Sequence, residues 1–437
     1  MIARLAFATE TVDERSATAT ADVPDTVEDS SLRTRLPERK LTWAWRWEHG
    51  LRYQVARPLP EFVPETGPLG HELDRRIAMD GAIGFRLQVD AAGYAATGTV
   101  NDDYPGIQVR RLYVGTSGTF SLLGHVDYAV DLELTGGDVQ VGDSYLAFHD
   151  LPYVQTLQIG NFDPAFSLEA VTSSRDILFM ERATAVEALT PGRKAGLQIG
   201  GPVLEQRATW ALGAFGNVGR GNHDVGDQST GVGRIDGRVT WLLTDAAPAE
   251  LTHLGIGIEY AFAADTIRYR TRPESHLASH LLDTEDLDAH GAAQWSLEFA
   301  TIRGPLTIEA EHMGAAVETA GTVAFHGGYL AASRFLTDDV QPYDHTRGRL
   351  GRVLPSRPFS FHDRTWGAFR VGARLSYLDL EHGPVRGGRE INVTLDAAWH
   401  LTDWLAYKVE YGVASIHGRP QEGALHFVQT RLQIDFY

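Results

Sequence analysis

The chain has 437 residues, a formal net charge of −18, no cysteine and a hydrophobic content of 43%. The acidic balance argues against a nucleic-acid-binding surface, and the missing cysteines exclude disulfides, thiolate metal sites and cysteine nucleophiles. No run approaches the roughly 18 apolar residues that a membrane-spanning helix needs. Only Lys40, Lys194 and Lys408 are lysines, so 36 of the 39 basic residues are arginines.

The N-terminal part lacks the regular pattern of the rest. Residues 1–40 are rich in Ala, Thr, Asp and Glu without any period, which predicts a disordered tail. The start, MIARLAFATE, lacks the apolar core of a secretory signal, so no signal peptide is evident. Residues 41–79 combine the alternating stretch TWAWRWEHGLRYQVA with four prolines. They predict a separate N-terminal segment that could include one extra strand.

From Asp80 onward apolar and polar residues alternate, which is the pattern of half-buried strands. In one clear example, Ile391, Val393 and Leu395 alternate with Asn392, Thr394 and Asp396. The alternation predicts sixteen strands, at residues 81–95, 106–116, 119–134, 138–150, 154–162, 193–202, 205–217, 231–243, 252–264, 292–302, 305–316, 322–334, 366–381, 388–401, 404–418 and 424–437.

The connections between these strands alternate in length. Long odd-to-even connections include residues 96–105, 163–192, 218–230 and 265–291, whereas Ser117-Gly118, Arg303-Gly304 and Thr402-Asp403 make short even-to-odd turns. Long loops at one end, short turns at the other and an even strand count are typical of an outer-membrane barrel. We therefore predict an all-β fold, a 16-stranded antiparallel transmembrane β-barrel over residues 80–437, with residues 41–79 on its periplasmic side. The even-to-odd connection 335–365 is the long exception.

Two other β architectures fit the pattern less well. A soluble β-sandwich of this length would consist of several domains, and no boundary is visible after residue 80. A β-helix would show a fixed repeat, and none is visible.

The longest interruption inside the strand pattern runs from Gly160 to Gly196. It carries Phe162, Phe166, Phe179 and Met180, too many large apolar residues for a disordered segment. Long loops inside regular folds are usually functional. The sequence therefore predicts a loop that packs against other parts of the protein.

Several segments resemble one family of outer-membrane proteins. The stretch LQIGNFDPAFSLEAVTSSRDILFMERATAVEALTPGRKAGLQIGG resembles the phosphate-selective porin O and P family, as do ASRFLTDDVQPYD, GRVLPSRPF and WGAFRVGARLSYLDL further along. The resemblance implies a trimeric sixteen-stranded outer-membrane porin with an anion-favouring pore. It also implies that the third extracellular loop, here residues 163–192, folds inward as a constriction, and that 265–291 and 335–365 fold inward as well.

Two departures from the family pattern concern its specificity. The family concentrates lysines at a central anion site, and this chain has three in all. Asp338 and Asp339 replace the Gly-Glu of one family segment. Phosphate specificity is therefore not implied.

The phase of each strand predicts which side chains face the lumen. On the polar faces lie Arg86, Arg110, Arg234, Arg238, Arg370 and Arg374, together with Arg207 and Arg431; Arg175, Arg182, Arg193 and Lys194 lie in or beside the inward loop. Rings of cationic side chains bias a pore toward anions. The same faces carry acids that could pair with them, including Asp90, Asp127, Asp236, Asp396, Glu410 and Asp435.

The leading functional hypothesis is a porin for passive diffusion of small solutes, favouring anions such as phosphate. Its partners would be small anionic solutes, outer-membrane lipid and lipopolysaccharide, and two further copies in a homotrimer. No nucleic acid, cofactor or metal is expected, and no enzyme motif is present; Glu274, His276, His280 and His290 are read as solvated loop residues. The alternative is a non-conducting or weakly selective barrel that serves as an envelope anchor or binding protein.

Overall fold

The computed structural model describes residues 42–47, 51–58, 76–100, 104–121, 125–137, 139–216, 231–247, 249–263, 266–418 and 421–436. The tail predicted for residues 1–40 lies outside these ranges. Within 41–79 the structure describes an antiparallel hairpin of two strands, β1 (Thr42–Trp47) and β2 (Leu51–Pro58). The division of the chain into a tail (1–40), an N-terminal segment (41–79) and a barrel (80–437) remains a prediction.

Sixteen strands form a closed antiparallel barrel, which confirms the predicted fold. Each strand pairs with the next one along the chain, and the last pairs with the first from Leu425↔Ala96 to Phe436↔Phe85. The barrel strands are β3 (Arg76–Ala96), β4 (Gly106–Ser121), β5 (His125–Glu133), β6 (Gln140–Leu151), β7 (Gln155–Phe162), β8 (Lys194–Val203), β9 (Ala208–Gly216), β10 (Gly231–Ala247), β11 (Glu250–Ala263), β16 (Gly291–Arg303), β17 (Leu306–Glu318), β18 (Thr322–Phe335), β21 (Ala368–His382), β22 (Val385–His400), β23 (Leu405–His417) and β24 (Gly423–Phe436).

The barrel wall is polar inside and apolar outside. On β22, Ile391, Val393 and Leu395 are 43%, 46% and 51% exposed, whereas the alternate Asn392 and Thr394 are fully buried. An outward apolar band over an inward polar face is the arrangement that suits a barrel surrounded by lipid. The alternation that predicted the strands therefore has its cause in this two-sided environment.

Three connections fold into the barrel. The third loop (residues 163–193) carries helices α1 (Leu168–Val171) and α2 (Thr184–Leu189). The fifth loop, described from residue 266 to 290, contains the short strands β12 (Thr266–Ile267), β13 (Arg270–Thr271), β14 (Leu282–Asp283) and β15 (Leu287–Asp288). The connection 336–367, at the end of the barrel predicted to be periplasmic and therefore called the periplasmic segment below, contains β19 (Tyr343–Asp344) and β20 (Arg349–Leu350). None of the helices in the described ranges is long and apolar enough to cross a membrane.

The main hydrophobic core lies inside the barrel rather than on its surface. Phe179 and Val186 of the third loop and Tyr269 of the fifth loop form one buried cluster with Phe325 of β18. The loops therefore bury apolar side chains against one another and against the inner wall. This burial is what stabilises them in the lumen, since apolar surface removed from water contributes about 25 cal/mol per Å².

The predicted short turn at Ser117-Gly118 is wrong. Both residues lie inside β4, which continues to Ser121. Gly118 pairs with Gly81 of β3, and a Cβ atom on Gly118 would collide with the Asp80 carbonyl. The glycine therefore allows two backbones to approach closely within a sheet, which is another common use of glycine in strands.

Candidate functional site: the barrel lumen

The third loop is a packed element on one side of the lumen. Its large apolar side chains are at most 1% exposed: Phe166, Leu168, Leu178, Phe179, Met180 and Leu189. Helix α2 lies against β17, β18 and β21. At the other end of the loop, the Phe166 carbonyl contacts Gly257 of β11 so closely that no side chain would fit there. The loop therefore crosses the barrel and leaves part of the lumen uncovered.

Cationic side chains of the wall bind the backbone of this loop. Arg370 donates to the Leu178 carbonyl and Arg431 to the Met180 carbonyl. Lys408 Nζ donates to the carbonyls of Ile177, at 3.2 Å, and Phe179, at 3.4 Å. Irregular backbone inside a membrane barrel needs such partners, because it has no strand or helix to pair with.

Carboxylates of the wall bind the amides of the same loop. Glu311 accepts hydrogen bonds from the backbone N–H groups of Leu168, at 3.0 Å, and Glu169, at 2.8 Å. Glu410 accepts from the Met180 N–H at 2.5 Å. Acids and bases of the inner wall thus act together as partners for the loop backbone.

The loop also holds itself together through Arg182 and Glu169. Arg182 donates to the carbonyls of Glu169, Ala170 and Thr172 at 3.0–3.2 Å. Glu169 accepts from the Ala183 N–H at 2.9 Å. These contacts join the helices α1 and α2 of the loop into one unit.

Glu181 connects the loop to two arginines of the wall. Arg110 donates to both of its carboxylate oxygens, at 3.0 and 3.1 Å, and Arg431 binds it as well. Burial raises the pKa of Glu181, but the charges of Arg110, Arg431 and Arg111 outweigh burial and hold the pKa well below its usual range. The carboxylate therefore stays charged, and this contact persists at any ordinary pH.

A β-bulge explains why two successive arginines face inward at this point. Gln88 pairs with Arg111 and Val89 with Val109, so Arg110 is an extra residue in β4. Arg110 and Arg111 are both buried. A bulge redirects a side chain in this way, which simple alternation does not predict.

The ten cations that the sequence singled out all lie in the barrel. Most of them form ion pairs or hydrogen bonds with other groups of the protein. Six are buried, namely Arg110, Arg182, Arg234, Arg238, Arg370 and Arg374, and four are half-buried, namely Arg86, Arg175, Arg193 and Lys194. Ion pairs join Arg234 to Glu259 at 2.9 Å and Arg238 to Glu298 at 2.7 Å. Further pairs join Arg86 to Asp435 at 3.3 Å, Arg175 to Asp176 at 3.3 Å and Arg193 to Asp143 at 2.7 Å. Their proposed role as the lining of a pore remains a prediction.

A water-accessible cavity of about 470 Å³ occupies the opposite side of the lumen. Strands β5 to β9 form its wall, and the periplasmic segment faces them. The lining includes Asp127, Asp143, Tyr145, His149, Asp163, Gln198, Trp210, Arg238, Arg347 and Arg349. This cavity is an open space within the lumen, and most of its charged residues are not among the ten predicted ones.

Arg347 and Arg349 are the residues that the sequence reasoning missed. Arg347 is exposed to the cavity, and Arg349 is half-buried beside it. Both lie in the periplasmic segment, where strand phase gives no information. The sequence signal for these two residues was the unusual length of the connection 335–365. The other turns at that end of the barrel are short, so a segment this long must pack against some part of the protein.

The prediction that Glu274, His276, His280 and His290 are solvated loop residues is wrong for Glu274, which is 1% exposed, and for His276 and His280, which are half-buried; His290 is exposed. Glu274 pairs with Arg374 at 2.7 Å, and His276 Nδ1 lies 3.2 Å from the Gln108 side chain. Burial, together with the charge of Arg110, lowers the pKa of His276 to about 3, so the imidazole is neutral.

Comparison with known proteins agrees with this geometry. The family model described as "Phosphate-selective porin O and P" matches residues 82–436. An uncharacterized protein of Caulobacter vibrioides is 29% identical over 352 residues, which cover 76% of this chain and 68% of that protein.

Solved structures share the fold at low sequence identity. The outer-membrane channel DcaP of Acinetobacter baumannii has a TM-score of 0.52 and 9% identity over 82% of this chain and 97% of its own. The trimer form of the outer-membrane protein OmpT of Vibrio cholerae has a TM-score of 0.52 and 11% identity over 81% of this chain and 99% of its own. Family and fold point to the bacterial outer membrane and to a channel. The chain belongs to the phosphate-selective porin O and P family.

Proposed function

We propose that this porin lets small solutes diffuse passively across the outer membrane, with anions favoured where the path passes Arg347 and Arg349. The observation that carries the proposal is the open cavity of about 470 Å³ beside the packed third loop. Its surface is rich in charged and hydroxyl-bearing side chains, as a path for hydrated solutes requires.

The preference for anions rests on Arg347. Its side chain is exposed, and within the described part of the chain no carboxylate lies within ion-pair distance of its guanidinium. A guanidinium stays charged at any ordinary pH and can hold a carboxylate or phosphate group by two hydrogen bonds. The buried cations contribute less to this preference, because each is already neutralised by an acid or bound to a carbonyl. The proposal therefore concerns small anions as a class rather than phosphate.

We also propose a homotrimer surrounded by lipid and lipopolysaccharide. The support is the trimer form of the Vibrio cholerae protein, which shares the fold. Chemical cross-linking in detergent, followed by mass measurement, tests this independently of conductance.

Planar-bilayer recordings under a salt gradient test the channel and its selectivity together. The wild type should conduct, with a reversal potential on the anion side. The Arg347→Gln variant should reduce the anion-to-cation permeability ratio by about twofold, the size expected for one partly screened charge. Arg386→Gln is the matched control, since Arg386 is an exposed arginine at the start of β22.

Two outcomes would contradict the proposal. A reversal potential on the cation side would contradict the anion preference and leave the channel intact. Absence of conductance by correctly folded protein would favour the alternative, a plugged barrel that acts as an envelope anchor or binding protein.

A further inference from the structure

The cavity has an acidic side that belongs to the barrel wall. Asp127 on β5, Asp143 on β6 and Asp163 after β7 have side chains that are 32%, 37% and 29% exposed. Arg193 binds Asp143 at 2.7 Å and Asp163 at 3.3 Å, and His149 Nε2 lies 2.8 Å from Asp127. The three carboxylates outnumber the one guanidinium that pairs with them on this side.

The basic side belongs to the periplasmic segment, whose hairpin β19–β20 is held firmly. Arg238 donates to the carbonyls of Arg347, at 3.1 Å, and Gly348, at 2.8 Å. Gly348 has a φ of 60° and lies against Thr209 and Thr240, so a larger residue would not fit. These contacts fix the position of the hairpin against the wall and direct Arg347 into the cavity.

Arg347 faces the acidic wall. Arg347, Tyr145 and Asp143 all line this one cavity. Tyr145 and Asp143 belong to β6, on the acidic side. The two charged sides of the cavity are therefore close enough to act on one small molecule at the same time.

We infer that the cavity selects small zwitterions, meaning solutes that carry a carboxylate and an ammonium group a few ångströms apart. The carboxylate binds Arg347, and the ammonium group binds Asp143 and Asp163. This inference rests on the proposed channel function and names the solute class of the same path. The cavity volume of about 470 Å³ suits such molecules, since small-molecule sites measure about 300–1,000 Å³.

Other solute classes gain less from this arrangement. A simple anion gains the contact with Arg347 but none with the acidic side, and a simple cation gains a contact with Asp143 or Asp163 but is repelled by Arg347. An uncharged solute gains no electrostatic attraction. A zwitterion can orient its dipole along the field between the two sides, so both of its ends are stabilised.

Solute uptake by liposomes that contain the full-length protein tests the inference. Three probes of equal chain length are compared: 4-aminobutyrate, which is zwitterionic, 4-hydroxybutyrate, which is anionic, and 4-hydroxybutanamide, which is uncharged. At low salt the zwitterion should enter at least about threefold faster than either of the others, as expected for partly exposed ion pairs. The preference should shrink in high salt, because screening weakens both contacts.

Two charge-neutralising variants have matched controls. Asp143→Asn and Arg347→Gln should each bring the uptake ratio of zwitterion to anion close to one. Asp150→Asn removes an exposed carboxylate from the same strand, and Arg386→Gln removes an exposed guanidinium elsewhere. Both controls should keep the wild-type ratio.

The outcomes separate this inference from the channel proposal. Equal entry of all three probes through a conducting channel would overturn the inference alone, as would an unchanged ratio in both Asp143→Asn and Arg347→Gln. Absence of uptake of every probe would overturn the channel proposal together with the inference.

Discussion

The two sides of the lumen use arginine in opposite ways. On the packed side, Arg370, Arg374 and Arg431 are at most 1% exposed and bind the third loop. On the open side, Arg347 is exposed and its own backbone is held by other residues. Each of the four side chains lies inside the barrel, so an inward direction does not by itself define a role.

The difference follows from the backbone that lies nearby. Between ordinary strands the backbone is fully paired, and an inward side chain remains available to solutes. An irregular loop inside the barrel brings unpaired carbonyls and amides, which are costly to bury without partners. A guanidinium has five donors, so it is well suited to satisfy several carbonyls at once. Counting inward arginines therefore overestimates the positive potential that a solute experiences.

The strongest test of this comparison removes a cation from the packed side. Arg374 pairs with Glu169 at 3.2 Å and Glu274 at 2.7 Å, donates to the Glu181 carbonyl at 3.0 Å, and lies over the Phe179 ring. Arg374→Met should lower the free energy of unfolding by about 3–5 kcal/mol, because it leaves buried carboxylates without their partner. Urea unfolding in detergent micelles measures the change.

Arg347→Gln is the matched variant on the open side. Its free energy of unfolding should stay within about 0.5 kcal/mol of the wild type, as is usual for exposed positions. Equal losses of stability in the two variants would break the distinction between a packed and an open side. A stable Arg374→Met variant with unchanged conductance would do the same.

A smaller effect is expected where the third loop touches the wall by its backbone. A Cβ atom on Gly257 would collide with the Phe166 carbonyl. Gly257→Ala should therefore displace the start of the third loop, lower the free energy of unfolding by about 1–3 kcal/mol and change single-channel conductance. Gly237→Ala on the neighbouring strand is the control, since its nearest neighbour would be 3.7 Å away.

If Gly237→Ala and Gly257→Ala behave alike, the third loop does not depend on this contact. A conductance change confined to Gly257→Ala would instead show that the first residues of the loop border the open path.

The sequence was sufficient for the barrel because each strand lies between lipid and a polar interior. That environment imposes an alternation of buried and exposed residues, which is clearest in β18 and β22. Two local features were not predicted: Gly118, where glycine allows close backbone approach inside β4, and the bulge at Arg110, which lets Arg111 face inward as well. Both depend on the neighbouring strand, which a single-strand pattern does not include.

The lumen was less predictable for a related reason. Strand phase correctly placed Arg370 and Arg374 inside, but their partners come from the third and fifth loops, at Leu178, Glu169 and Glu274. These contacts join residues about 100 to 200 positions apart, as in the separations of 192 for Arg370 and Leu178 and 205 for Arg374 and Glu169. Arg347 lies in a segment without the alternation of a strand. The direction of its side chain could not be predicted, because it depends on how the whole segment packs in the barrel.

The smallest expected effect concerns the fifth loop, which is packed like the third but carries histidines. Burial, with Arg110, lowers the pKa of His276 to about 3, and burial, with Arg272, lowers the pKa of His280 to about 4. In a released loop both pKa values would be near ~6.5. The released loop therefore takes up protons as the pH falls below ~6.5, whereas the packed loop does so only near 3–4.

The free energy that holds the fifth loop in place should accordingly be complete above pH ~6.5 and decline as the pH falls toward the low pKa values of the packed state. Hydrogen exchange of residues 269–284, corrected for the intrinsic pH dependence, should be faster at pH 5 than at pH 7.5. The third loop contains no histidine and serves as the internal control. His276→Gln should reduce the rise at pH 5, since one of the two proton-accepting groups is gone. An equal rise in both loops would mean that acid loosens the packed side as a whole, and the histidines would then have no special part in holding the fifth loop.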